Sequence, residues 1–293
     1  MHLAKKYNIL DIPNHRSSHN KSTIRGGGVI FPVALLLVYF LFDFQYTWFV
    51  ASVLILSVVS FLDDLYSLSS RIRFFVQFLA VFLLLFELDL IQLFWFFPVL
   101  FFVLIGGLNA FNFMDGINGI TALYSMIALS SLYYINQTVQ FIDSEFILIP
   151  LLAVIIFSFL NIRKRALCFA GDVGSISIAA IILFLLLKLV IHTQNYFYLI
   201  LLLVYALDSG ATILKRKLRG ENIFKPHREH LYQQLVHIKG LSHLQVSFLF
   251  AAVQLLINFC IFFEGSLYWV LFTVLIVMIS YIFALNYIRK IEK

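Results

Sequence analysis

Cysteine is nearly absent. Cys168 and Cys260 lie far apart and form no CxxC pair, which excludes a disulfide framework and a thiolate metal site and leaves both as small apolar packers. Charge is scarce as well: Asp, Glu, Lys and Arg make up 12% of the 293 residues, against about 25% in a soluble domain. The opening Met1-His2-Leu3-Ala4-Lys5-Lys6 has no apolar stretch behind it of the kind a cleaved signal needs, so the first span is expected to target the chain. No alternation of barrel type, no repeat, no low-complexity tract and no long linker is visible. The expectation is one integral-membrane domain over 1–293.

What is present is hydrocarbon, with 62% hydrophobic residues and 33 Phe. Apolar runs of about 17–25 residues are read as spanning helices. They fall at 27–42, 46–62, 74–88, 90–108, 117–135, 146–161, 173–191, 196–214, 244–263 and 267–287. The fold class is therefore all-α, a polytopic membrane protein of about ten transmembrane helices. Putting the amino terminus on one side brings every Lys and Arg except Lys188 to that side, which the positive-inside rule makes the cytoplasm. The net charge of +6 is thus mainly a topology signal, with a second role toward phosphates or anionic head groups, and nucleic acid is not an expected partner.

Five carboxylates, Asp63, Asp64, Asp115, Asp172 and Asp208, sit at boundaries of apolar runs and reach the same cytoplasmic side under this one assignment. A carboxylate beside hydrocarbon costs about 2.5–3.5 kcal/mol on insertion scales, which marks such positions as functional candidates. Asp63 and Asp64 are neighbours pointing about 100° apart on a helix, so each is expected to take a separate role, one toward each substrate. The triplet Gly26-Gly27-Gly28 enters a span, where glycines serve either close approach of backbone N–H groups to an anion or packing against another helix. Asn109, Asn112, Asp115, Gly116, Asn118 and Gly119 predict an irregular polar turn lining a wet cavity. Asp172 stands beside Gly171 and Gly174 at a helix start, suited to a hard cation next to phosphate or to an N-cap. His227 and His230 have HxxH rather than the helical zinc spacing, so they read as neighbours of a phosphate pocket. Carboxylates, glycine turns and basic side chains on one face describe handling of a phosphorylated soluble compound against a lipid. Ion transport fits less well, because transporters place ionisable groups near the bilayer midplane.

In combination, Arg16-Ser17-Ser18-His19 with Arg25-Gly26-Gly27-Gly28, Asp63-Asp64, Asn112-Phe113-Met114-Asp115-Gly116, Phe169-Ala170-Gly171-Asp172-Val173-Gly174-Ser175 and His227-Arg228-Glu229-His230 resemble the polyprenyl-phosphate N-acetylhexosamine-1-phosphate transferases, glycosyltransferase family 4. The likeness runs from about Asp11 to Leu235. It implies Mg²⁺-dependent transfer of a sugar 1-phosphate from a UDP-N-acetylhexosamine to undecaprenyl phosphate, with UMP released and Mn²⁺ as an alternative metal. That reaction starts O-antigen, capsule or other envelope glycan synthesis at the bacterial inner membrane, with the active site on cytoplasmic loops; a homodimer is compatible with it. By this analogy Asp172 and Asn112 hold the metal, Asp63 and Asp64 orient or deprotonate the lipid phosphate, and Asp115 lies at the nucleotide end with Asn161 helping to hold it. Lys21, Thr23 and Arg25 look like acceptor-phosphate contacts, and His227, Arg228 and His230 like the sugar and diphosphate loop. Asp63, Asp64, Asp115 and Asp172 are the expected catalytic set.

The chain departs from the family pattern in three places. It starts directly in the first cytoplasmic loop, where the family usually has another spanning helix first, which keeps a catalytically impaired scaffold as the alternative. Asn118 stands where many bacterial members carry a second Asp, and fits there as a neutral hydrogen-bonder. The His-Arg-Glu-His stretch resembles the branch acting on GlcNAc or 6-deoxy-N-acetylhexosamines.

Overall fold

The computed structural model describes residues 10–11, 22–92, 95–222, 227–263 and 267–292. A two-residue ribbon, β1 (Leu10–Asp11) antiparallel to β2 (Thr23–Ile24), leads through a 3₁₀ turn at Gly27–Val29 into eleven helices. These are α1 (Ile30–Leu41), α2 (Thr47–Tyr66), α3 (Ser70–Glu87), α4 (Phe97–Met114), α5 (Ile120–Val139), α6 (Glu145–Asn161), α7 (Gly171–Thr193), α8 (Leu203–Leu218), α9 (Leu231–His237), α10 (His243–Phe263) and α11 (Leu267–Glu292). Each expected span coincides with a helix, so the all-α polytopic class stands. Among the described residues, six helical stretches are long and apolar enough to cross a membrane by length and composition. Gly27–Leu41 and Glu145–Asn161 are apolar but shorter, and α3 carries Arg71, Arg73 and Glu87 within its 18 residues.

The axis of the molecule is α7. In its membrane window 83% of residues are buried, against 17% in α11 at the periphery. Its sequence is apolar on every side, as a helix surrounded by other helices must be, and its first half is rich in small residues that let neighbours approach closely. Helices α1, α2, α4 and α5 pack around it. Ser57 of α2 meets Ser177 of α7 at 2.9 Å between hydroxyls, and Phe49 stacks on Phe184 with ring centroids 3.8 Å apart.

Three boundaries differ from the sequence reading for physical reasons. The span expected from residue 90 begins at Phe97, with a proline in the first helical turn where its missing N–H costs nothing. The irregular turn expected over 107–120 is mostly helix: α4 continues to Met114, and only Asp115 to Gly119 leaves helical geometry, with φ +86° at Gly119. The span expected from residue 196 starts as a 3₁₀ turn, Tyr196–Leu202, before α8. Gln254 of α10 splints that junction, accepting from Val204 N at 2.9 Å and donating to Ile200 O at 2.9 Å.

Candidate active site

The carboxylates gather where the last turn of α2 meets the first turn of α7. Asp64 Oδ1 accepts from Asp172 N at 3.1 Å and Oδ2 from Val173 N at 3.3 Å, so a side chain from α2 satisfies the otherwise orphaned first N–H groups of α7. Arg25 Nε completes the set at 2.9 Å from Asp64, whose side chain is 0% exposed. This closeness explains Gly171: its φ is +70°, and a Cβ there would stand 2.5 Å from Asp64 Oδ2. Asp63 turns elsewhere, accepting from Leu68 N at 2.6 Å and from Arg73 Nη1 at 3.1 Å. The paired aspartates therefore have different partners, as their angular offset predicts.

Asp172 keeps 21% of its side chain open and lies 3.5 Å from Arg25 Nη2. Asp63 lies near enough to act on it electrostatically. Arg25 and Arg73 flank the two acids and offset their mutual repulsion. Among the described residues no three His, Cys, Asp or Glu side chains converge as a metal cage. A magnesium ion that keeps several waters and leans on one or two carboxylates plus substrate phosphates needs none, so the donor set fits such an ion. Asn112, in the last turn of α4, accepts from Ser175 Oγ at 3.0 Å, which joins α4 to the start of α7.

The glycine triplet does the packing job rather than the anion job. Gly27 N donates to Phe169 O at 2.8 Å and Gly28 N to Ala170 O at 3.1 Å, so both N–H groups are spent within the protein. A Cβ at Gly28 would fall 2.1 Å from Gly174 Cα, which leaves glycine as the only residue that fits the crossing. Ile24 of β2 bridges to Cys168, and Thr23, half-buried beside it, pairs across the ribbon with Asp11. Lys21 lies outside the described residues.

Asp115 follows α4 and accepts from Thr121 Oγ1 at 2.6 Å. Asn118 Nδ2 donates to Arg163 O at 2.9 Å, and its own carbonyl accepts from Ser247 Oγ at 2.8 Å, a neutral hydrogen-bonder that ties this turn to the loop before α7. Asn161 works on the same seam: its Oδ1 accepts from Gly119 N at 2.7 Å and its Nδ2 donates to Cys168 O at 2.9 Å.

The His227–His230 segment lies against the end of α4. Phe113 has ring centroids 6.4 Å from His227 and 6.1 Å from His230. His227 and Arg228 are half-buried, whereas His230 is buried at 2% exposure beside Asp208, with Nδ1 3.7 Å from Oδ1. Burial, reinforced by His230 and Arg216, pushes His227 down from 6.5 to about 4, which keeps its ring neutral at physiological pH. Asp208 is an anchor: it accepts from Leu231 N at 2.9 Å at the head of α9 and from Tyr281 Oη at 3.0 Å in α11. Tyr232 Oη then donates to Phe113 O at 2.8 Å, close enough that a Cβ on Gly116 would collide with it. The partners of Arg73, Ser175, Thr121 and Tyr232 were not legible from sequence, since each lies on another element.

Residues 46–190 match the family model described as Glycosyl transferase family 4. A probable undecaprenyl-phosphate N-acetylglucosaminyl 1-phosphate transferase of Bacillus subtilis is 28% identical over 268 residues, 82% of this chain and 73% of that protein. A phospho-N-acetylmuramoyl-pentapeptide-transferase of Enterococcus faecalis is 30% identical over 58% of this chain and 50% of its own length. One from Streptococcus pneumoniae is 27% identical over 84% and 85%.

Proposed function

Because the chain belongs to glycosyl transferase family 4, we propose that it moves a hexosamine 1-phosphate from a UDP-N-acetylhexosamine onto a polyprenyl phosphate. The finer reading is GlcNAc or a 6-deoxy-N-acetylhexosamine as sugar and undecaprenyl phosphate as acceptor, at the bacterial inner membrane with the site toward the cytoplasm. The observation that carries it is the junction of α2 and α7, where Asp63, Asp64 and Asp172 meet between Arg25 and Arg73 at one end of the bundle.

Phosphoryl transfer of this kind rests on positioning and charge neutralisation. Asp64 acts through others, fixing the α7 amino end and Arg25. Asp172, the most open of the three acids, and Asn112 would hold a magnesium ion on the donor diphosphate. That ion supplies neutralisation of phosphate charge. Arg25 faces the acceptor phosphate, and Asp63 orients it. A strong base is dispensable, because a phosphate monoester with a second pKa of about 6 is already largely ionised near pH 7. Asp115 sits at the nucleotide end, and His227 and Arg228 serve the sugar and diphosphate.

The test is a panel of radiolabelled UDP-sugars given to membranes holding the protein with undecaprenyl phosphate. Release of UMP with a butanol-soluble product, lost on chelation and restored by Mg²⁺, is the expected result. Silence across the panel overturns the proposal and favours a catalytically impaired relative.

A further inference from the structure

Helix α8 presents one buried stripe of polar side chains spaced by four residues, Asp208, Thr212 and Arg216, at 1%, 3% and 4% exposure. Its upstream end, Asp208, takes the first N–H group of α9. Its downstream end is a guanidinium that cannot be left buried without partners. Arg216 Nε donates to Glu221 at 2.9 Å and Nη2 to Asn222 O at 2.9 Å. The same Nε lies 3.9 Å from Glu229. Arg216 therefore touches the chain where it leaves α8 and again where it returns beside His227 and Arg228. Glu229 is shared more widely: Arg219 Nη2 reaches it at 2.6 Å and Lys215 Nζ at 3.1 Å, while Arg219 also meets Glu221 at 2.8 Å.

An isolated surface ion pair contributes about 0–1 kcal/mol, so a row of exposed pairs would carry no argument. What differs here is that the hub is buried and that its acidic partners come from both ends of one excursion. Neither Glu221 nor Glu229 touches the acid cluster of α2 and α7, so their placement has no direct use in the chemistry.

We propose that Arg216 and Glu229 are positioning residues, a charged clasp that holds His227 and Arg228 in register over the donor-binding end of the site. The proposal rests on the transferase reading for its kinetic consequence but not for its structural one. The clasp sets how the segment is presented, so its loss weakens binding of the nucleotide sugar more than it slows the chemical step. Because Arg219 and Glu221 are solvent-exposed while Glu229 is half-buried, only part of the clasp is screened as ionic strength rises.

The experiment uses the full-length protein in detergent, with Glu229→Gln, Glu229→Asp, Arg216→Gln and the exposed Lys217→Gln as a charge control on the same helix. Glu229→Gln is expected to raise KM for the UDP-sugar about tenfold, the equivalent of about 1.4 kcal/mol, with kcat changed less than about threefold. Glu229→Asp recovers part of the loss, and Lys217→Gln matches the parent. Amide exchange of peptides covering 227–235 is expected to speed up in Glu229→Gln and Arg216→Gln, with α7 peptides unchanged. Should Arg216→Gln fail to fold, Glu229→Gln decides alone. Unchanged exchange at 227–235, or a fall in kcat with KM intact, overturns the clasp. If the parent protein turns over no UDP-sugar, the transferase reading falls while the exchange data still decide the clasp.

Discussion

Asp172 and Asp63 share one cluster but differ in what already holds them. Asp63 is engaged by Leu68 N and Arg73, whereas Asp172 keeps an open face. Asp172→Asn is therefore expected to lower turnover by about 10²–10³-fold, the usual loss when a preorganised charge is removed from a transfer site. Asp63→Asn, which removes an orienting group from an acceptor that is already ionised, should lose less. Initial rates of UMP release in membranes compare them, and equal abolition would count against an orienting role for Asp63. His227 gives a pH signature. Its folded value near 4 lies below the ordinary 6.5, so the unfolded chain binds the extra proton between these values. Stability from this group is complete above about pH 6.5 and is lost as pH falls toward 4. Melting curves should show that decline in the parent and a flatter one in His227→Gln. Asp64 shows what one residue's sequence context withholds. It reads as a second substrate-facing acid, yet its oxygens cap a helix 108 positions later in the chain.

At the scale of helices, hydropathy marked the position of each expected helix, and six helical stretches among the described residues are long and apolar enough to cross a membrane, of the ten spans expected. Ends and breaks were less legible. The 3₁₀ turn before α8 carries no proline or glycine to announce it, and its freed backbone groups are met by Gln254, 50 positions from Val204. Gln254→Leu removes that splint and the acceptor of Tyr124 Oη at 2.8 Å. Polar pairs inside membranes average about 0.6 kcal/mol, because separated helices find other partners. Here the partners are backbone groups at a fixed break, so the larger cost of orphaned buried groups, about 1–3 kcal/mol, applies. A lower melting temperature in detergent with the assembled fold retained is the expected outcome, and an unchanged melt would show that the break satisfies itself. The glycine triplet was legible as special but not as to purpose, since both uses demand the same missing side chain.

For the molecule as a whole, charge asymmetry gives an orientation that can be checked without substrate. Lys164 lies on an exposed turn at the acid-cluster end, and Asp143 is exposed at the opposite end beside Ser144 and α6. In a background freed of Cys168 and Cys260, Lys164→Cys should react with an impermeant maleimide only in inverted vesicles. Asp143→Cys should react only in right-side-out ones. The reverse pattern would place the acids outside the cell and remove access to a cytosolic nucleotide sugar. The family was legible from motif order along the chain, whereas the anchoring of the His227 segment by Asp208 and Arg216 was not, because it depends on which face of α8 turns inward.

The seam where Gly28 meets Gly174 joins stretches separated by half the polypeptide. During synthesis the first helices must wait in the bilayer, their furrow unfilled, until the later one is threaded beside them. A ribosome stalled before that point holds a chain whose Asp64 has no helix end to cap, so the acid cluster is completed only late in biogenesis.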